Sequence, residues 1–166
     1  TMGTILRHGS EEQKQKYLPG IASGKLRLQA FGVTEPTSGT DTTALRTFAK
    51  REGDEYVVNG QKIWTSRAEH SDIMLLLART TPRDETKKKT EGLSTFIVDM
   101  REVVGKSLTI QPIRTMMNHA TCEVFFEDMR IPAENLLGEE GKGFRYILSG
   151  MNAERTLIAA ECVGDA

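Results

Sequence analysis

Cysteine is nearly absent from this chain, with only Cys122 and Cys162 among 166 residues. Two thiols build no disulfide framework, and their separation matches no metal-ligand spacing. Histidine is as sparse: His8, His70 and His119 are scattered too widely to form a zinc motif. An excess of one charge is also missing. Lys and Arg total 22 against 23 Asp and Glu, a formal net charge of −1. That balance removes the electrostatic argument for a nucleic-acid or anionic-membrane partner. The longest apolar run, Ile73 to Ala78, is too short to span a bilayer, and the first residues lack the shape of a signal peptide. What is present is 38% hydrophobic and 27% charged, the balance of a globular domain. The length suits one domain with a real core. The expectation is a soluble intracellular domain without a structural metal.

Local signals then change along the chain. Ser10 precedes Glu11-Glu12-Gln13, a capping box in which Ser10 holds the amide of Gln13 and Gln13 reaches back. Pro19 and Gly20 predict that this helix ends at Leu18. Leu26, Leu28 and Ala30 alternate with polar residues, the period of a half-buried strand. After a turn-rich segment and Leu45–Arg51, Tyr56-Val57-Val58 and Lys62-Ile63-Trp64 flank Asn59-Gly60, which predicts a tight type I′ hairpin there. Ile73–Ala78 is apolar on both alternations, as in a strand covered on both faces. Seven of the eleven side chains in Thr81–Glu91 are charged, which marks a solvated loop that includes Lys87, Lys88 and Lys89. Leu93–Val98, Leu108–Ile113 and Thr121–Met129 bring the strand candidates to about eight. Phe144, Ile147, Leu148, Met151, Arg155 and Ile158 recur at helical spacing. The fold class expected is mainly β: a β-barrel or sandwich of about eight strands flanked by N- and C-terminal helix segments. Both helices read as cut from a longer protein.

Three stretches carry residues suited to chemistry. Gly32-Val33-Thr34-Glu35-Pro36-Thr37-Ser38-Gly39-Thr40-Asp41 is a strand end followed by a Gly/Ser/Thr turn. Its amides and hydroxyls could converge on an anion or a heterocycle edge, or the segment is an ordinary turn in which Asp41 ties its own loop as an Asx acceptor. Trp64 beside Thr65 and Ser66 could lie against a flat aromatic ligand, or be a core Trp. In Met151-Asn152-Ala153-Glu154-Arg155, helical spacing places Met151, Glu154 and Arg155 on one face with Asn152 beside Arg155. Such residues also occur on plain solvated helix faces. Cys122 and Cys162 read as buried small hydrophobes.

Taken in order, Gly-Val-Thr-Glu-Pro-x-Ser-Gly-Thr-Asp, Val58-Asn59-Gly60-Gln61-Lys62 before Trp64, Phe126-Glu127-Asp128-Met129-Arg130-Ile131-Pro132 and Asn135-Leu136-Leu137-Gly138-Glu139 with Gly141 and Gly143 resemble the acyl-CoA dehydrogenase family, specifically its middle, flavin-binding β-domain. The resemblance covers nearly the whole chain. It implies residues 1–25 as the end of an N-terminal helical region, 26–137 as the middle domain and 138–166 as the start of a C-terminal helical domain. It also implies FAD as cofactor. Phe31, Gly32, Val33 and Thr34 would then line the isoalloxazine, and Gly39 with Thr40 would approach the pyrophosphate and the acyl-CoA chain. Trp64 would shield the ring, with Thr65 and Ser66 at its reactive edge. The family usually has an aliphatic residue and then Thr after this Trp, where this chain has Thr65 and Ser66. Members similar to this chain in carrying Glu-Arg on the last helix, such as isovaleryl- and long-chain acyl-CoA dehydrogenases, use that Glu as the base, here Glu154. Asn152 and Arg155 match positions that contact the pantetheine arm.

The parent implied by this resemblance is a homotetramer that desaturates acyl-CoA thioesters and passes electrons to an electron-transfer flavoprotein. It would lie in a bacterial cytoplasm or mitochondrial matrix, with no nucleic-acid or membrane partner. The isolated chain is expected to bind FAD weakly and to be inactive. Flavin monooxygenases and acyl-CoA oxidases of the same fold are one alternative, and a non-catalytic scaffold relative is another.

Overall fold

The computed structural model describes residues 2–116 and 120–166, so His119 lies outside the described residues. Two helices, α1 (Met2–His8) and α2 (Glu11–Ala22), open the chain. The capping box at the start of α2 forms as expected: the Gln13 amide donates to Ser10 Oγ and the Ser10 amide to Gln13 Oε1. The expected stop at Leu18 does not occur, because α2 continues through Pro19 to Ala22. Proline removes a single intrahelical bond there, while Tyr17, Leu18 and Ile21 on either side of it are held in a hydrophobic cluster.

Eight strands follow: β1 (Leu28–Gly32), β2 (Phe48–Glu52), β3 (Glu55–Ser66), β4 (Ile73–Arg79), β5 (Leu93–Asp99), β6 (Leu108–Pro112), β7 (Thr121–Pro132) and β8 (Leu136–Leu137). A short helix, α3 (Met100–Val103), separates β5 from β6, and α4 (Gly143–Asp165) ends the chain. The strands form one mixed sheet in the order β6-β7-β3-β2-β4-β5-β8, with β1 pairing β4 in parallel. β6 and β8 stand at its two ends, so the sheet is open and the closed-barrel form of the expectation is corrected. A single pairing, Phe48 with Arg79, joins the β2 side to the β4 side. The sheet is instead folded over its own core.

The Asn59-Gly60 hairpin is also corrected. The β2–β3 turn lies at Gly53-Asp54, where Gly53 takes φ +64° and Glu52 pairs Glu55. Strand β3 runs straight through Asn59-Gly60, so two expected strands are one, and the two-residue β8 restores the count. Opposite Asn59, β7 carries an extra residue around Asp128 at φ +48°. The Asn59 side chain clasps that bulge, donating to Asp128 Oδ1 and accepting the Asp128 amide, both at 2.9 Å. Gly60 is needed for close approach: a Cβ there would lie 2.5 Å from Thr47 Oγ1.

All seven residues of β4 are buried, as its continuous apolar run predicts. Met74, Leu76 and Ala78 face the interior cluster with Tyr56, Val58, Phe96, Val124 and Phe126. Ile73 and Leu75 face the opposite way, onto Ile5 and Tyr17 of the helices, and Leu77 meets Ile147 of α4. Each fully buried aliphatic chain of this kind is worth about 1.5–3 kcal/mol, so β4 is the sheet's energetic centre. The loop with Lys87, Lys88 and Lys89 is exposed, as its charge density requires. No described helix is long and apolar enough to cross a membrane.

Candidate functional site

The candidate site lies where β1 ends and β3 bends. Beyond Gly32 the chain continues as Val33-Thr34, and the Ile63 amide donates to the Thr34 carbonyl at 2.9 Å. One residue later β3 slips register: Lys62 pairs Val124, but Thr65 pairs Cys122. The extra residue is accommodated by Trp64 at φ +60°, a left-handed conformation that costs a side-chain-bearing residue about 1–2 kcal/mol. Bulges of this kind re-aim side chains beside functional sites. Here the result is an indole 57% exposed and an exposed Ser66.

Thr65 does not join them. Its partner Cys122 belongs to the interior cluster, and Thr65 is buried on that same side. Its Oγ1 has no hydrogen-bond partner among the described residues. The expectation that Thr65 presents its hydroxyl at a ring edge is therefore corrected, because the pleat sends that side chain inward. Ser66 keeps the outward position.

The Gly/Ser/Thr turn is tightly tied. Glu35 and Ser38 exchange backbone bonds, Ser38 Oγ donates to the Asp41 carbonyl, and Asp41 Oδ1 accepts from the amide and hydroxyl of Thr43. Asp41 is thus the Asx acceptor expected of it. Gly39 and Thr40 are left exposed at the apex. Phe31 and Thr34 are half-buried, whereas Val33 packs its side chain on Leu45, Leu77 and Ile147. Beside the turn, a recess of about 420 Å³ is lined by Asp41, Thr43, Arg46, Arg79, Arg83 and Lys89. Arg46, Arg83 and Lys89 are exposed there beside Asp41, while the buried Arg79 guanidinium donates to the carbonyls of Thr43 and Leu45.

Beneath the turn lies a buried ion pair that sequence reasoning missed. Lys62 Nζ donates to Glu35 Oε1 at 2.8 Å and to the Val33 carbonyl at 3.0 Å, and the two side chains are 0% and 4% exposed. Glu35 also accepts the amides of Arg46 and Thr47. Burial pushes the Glu35 carboxyl up, but the Lys62 ammonium and the bonds from Thr47 and Arg46 outweigh it and hold the group below its ordinary range. Burial pulls Lys62 down to about 8, against the opposing effect of Glu35. Lys62 falls on the same alternation of β3 as the buried Tyr56 and Val58.

The third stretch is placed differently. The first half of α4 is anchored: Arg7 donates to the Ser149 carbonyl, His8 bonds Ser149 Oγ, and the His8 ring stacks on Tyr146. From Asn152 onward every residue is exposed. Asn152 and Arg155 are neighbours as the helical spacing predicts, with Arg155 donating to Asn152 Oδ1 at 3.3 Å. Glu154 is exposed on the same stretch. Cys122 is buried, but Cys162 is exposed on this projecting half, which corrects its reading as a buried hydrophobe.

The outward groups fit a flat heteroaromatic cofactor with an anionic tail. Trp64 offers an uncovered aromatic face, Ser66 a hydroxyl at its edge, and the Gly39-Thr40 apex an accessible backbone beside the cationic recess. Among the described residues no group of acidic, His or Cys side chains is arranged to hold a metal ion.

Comparison with known proteins bears on the whole chain. Residues 30–129 match the family model for the acyl-CoA dehydrogenase middle domain, and residues 1–25 that for the N-terminal domain. The acyl-CoA dehydrogenase FadE26 of Mycobacterium tuberculosis is 39% identical over 157 residues, covering 95% of this chain and 38% of that protein. A short-chain-specific acyl-CoA dehydrogenase of Clostridium acetobutylicum is 41% identical over 165 residues, covering 98% of this chain and 41% of the relative. The crystal structure of an acyl-CoA dehydrogenase from Geobacillus kaustophilus superposes with a TM-score of 0.88 at 36% identity, over 96% of this chain and 41% of that one. The chain thus spans about two fifths of the length of these relatives. An open mixed sheet with helices at both ends, the ordered turn-and-tryptophan motifs, and a match across more than half its length place this chain in the acyl-CoA dehydrogenase family.

Proposed function

We propose that the complete protein to which these residues belong is an FAD-dependent acyl-CoA dehydrogenase, introducing an α,β double bond into an acyl-CoA thioester. In this reading residues 1–25 end an N-terminal helical region, 26–137 form the middle domain and 138–166 begin a C-terminal helical domain. The observation that carries the proposal is the exposed Trp64, held in a left-handed bulge next to the tied strand end Val33-Thr34. An exposed indole at a strained position is a poor use of a large apolar side chain unless something flat covers it.

Trp64 shields one face of the cofactor ring and Ser66 donates a hydrogen bond at its edge. Phe31 and the backbone of Gly32, Val33 and Thr34 line the ring. Bound FAD supplies the acceptor for the hydride lost from the substrate β-carbon. The Ser66 hydroxyl and any strand-end amide turned to the ring would favour negative charge on it. Gly39 and Thr40 offer backbone to the pyrophosphate and the acyl-CoA, and the cationic recess beside them suits the phosphates of a coenzyme A thioester. Glu154 accepts the α-proton, and Asn152 with Arg155 holds the pantetheine arm. Electrons leave to an electron-transfer flavoprotein, and the complete protein is a homotetramer of the bacterial cytoplasm or mitochondrial matrix.

The test is an anaerobic titration of the complete protein with straight, branched and aromatic acyl-CoAs, following the oxidised-flavin band. Prompt bleaching by one class supports the dehydrogenation and names the substrate. Bound flavin that no acyl-CoA bleaches would move the monooxygenase reading to first place. Residues 1–166 alone are expected to bind FAD weakly and to show no dehydrogenase activity. A tight stoichiometric yellow complex of this segment overturns that expectation.

A further inference from the structure

The buried ion pair beneath the turn has no role in the chemistry above, yet it touches both halves of the site. Lys62 leaves β3 two residues before Trp64, and its stem passes inside the end of β1. A Cβ on Gly32 would lie 3.5 Å from Lys62 Cγ, 3.0 Å from Met74 Sδ and 3.2 Å from Leu76 Cδ1. The ammonium then reaches the Val33 carbonyl and Glu35. Glu35 in turn holds the amides of Arg46 and Thr47, and Thr47 Oγ1 donates to the Gln61 carbonyl. The bonds therefore form a ring: β3, the end of β1, the turn, the segment before β2, and β3 again. Buried ion pairs seldom exceed a well-packed apolar replacement in stability. Their retention at such a place is better explained by the geometry they fix.

We propose that Lys62 and Glu35 are positioning residues of the flavin site, coupling the Val33-Thr34 strand end to the Trp64–Ser66 bulge so that the two halves hold one spacing. The proposal rests on the flavin reading for its consequence and on this chain's own hydrogen bonds for its premise. A positioning shell sets a site to within about half an ångström, and losing such alignment can cost about a hundredfold in rate.

The experiment uses the complete protein with the double substitution Lys62→Met and Glu35→Gln, which removes both charges together. The single Lys62→Met variant would strand a buried carboxylate and serves only as a folding control. Three quantities are read: thermal midpoint, hydrogen–deuterium exchange of the flavin-free protein, and FAD affinity with its visible spectrum. The expected result is a folded double variant with a midpoint close to the parent. Exchange should quicken in residues 33–35 and 63–66 together and stay unchanged in β4 and β5. FAD should bind about tenfold or more weakly, with a shifted flavin band. A folded double variant with parental exchange at both segments overturns the proposal. So does a double variant that fails to fold, because the pair is then needed for stability. If the parent itself binds no FAD, the flavin reading fails, while the exchange of the two segments still decides whether the pair couples them.

Discussion

Two regions of this molecule, the sheet with two of the three stretches and the last helix with the third, carry the side chains assigned to chemistry, and they are held in opposite ways. Around Val33-Thr34 and Trp64–Ser66, each backbone segment is tied by a buried bond to another segment distant in sequence. Around Asn152, Glu154 and Arg155, among the described residues the one side-chain hydrogen bond joining the three is that from Arg155 to Asn152, one helical turn apart on an exposed helix. The first region is preorganised by this chain alone. The second has its residue types in order but no environment, and a carboxylate acting as base needs both. The sheet residues are held in place, and the helix residues stand exposed.

The most severe test of that contrast is Glu154→Gln in the complete protein. Flavin reduction by acyl-CoA should slow by about 10²–10⁴-fold, the usual worth of a positioned base, while the stability of residues 1–166, where Glu154 is exposed, stays within about 0.5 kcal/mol. Rapid-mixing reduction and a thermal melt read the two effects, and an undiminished reduction rate removes Glu154 as base. Thr65→Val and Ser66→Ala sharpen the comparison within the bulge itself. Replacing the unpartnered buried hydroxyl of Thr65 by a methyl should stabilise the protein by about 1 kcal/mol and leave FAD affinity unchanged. Ser66→Ala should leave the melt unchanged and weaken FAD binding. Exchanged outcomes would mean that Thr65, not Ser66, faces the ligand.

The smallest effect expected is in acid. Glu35 is held below its ordinary value of 4.5 in the folded chain, so the unfolded chain takes up its proton first as pH falls. The stability this group contributes is complete above about pH 4.5 and is lost as pH falls through the folded value. The Lys62→Met, Glu35→Gln double variant, which leaves no buried charge unpaired, should flatten that part of the acid limb in a pH series of denaturant melts. An acid limb as steep as the parent's would show that Glu35 does not contribute to it.

What was legible in the sequence was local or periodic. The Ser10–Gln13 capping box spans four residues, and the two-faced burial of Ile73–Ala78 follows from an uninterrupted apolar run. The errors arose where a local signal competed with a distant partner. Asn59-Gly60 is as turn-like as Gly53-Asp54, and it was Thr47 and the Asp128 bulge that decided between them. Pro19 looked like a stop, and packing around Tyr17 carried the helix past it. The motifs singled out Trp64 and the Gly39-Thr40 turn as candidates. They could not show that Lys62 is wholly buried, because its acceptors lie on β1 and the following turn. Nor could they tell that a register slip separates Thr65 from Ser66.

The parallel pairing of β1 with β4 has a consequence for how the chain is made. Leu28 pairs with Ile73 in the sheet, with β2 and β3 synthesised in between. Such a long-range parallel contact costs loop-closure entropy before it returns any stability. During synthesis β1 therefore remains without its sheet neighbour until β4 has emerged. Val33-Thr34, which Lys62 and Ile63 of β3 already bond, gains the support of the β1–β4 pairing after that event. On the flavin reading proposed above, a cofactor offered to the nascent chain meets an unfinished surface, and loading follows the docking of β1 onto β4.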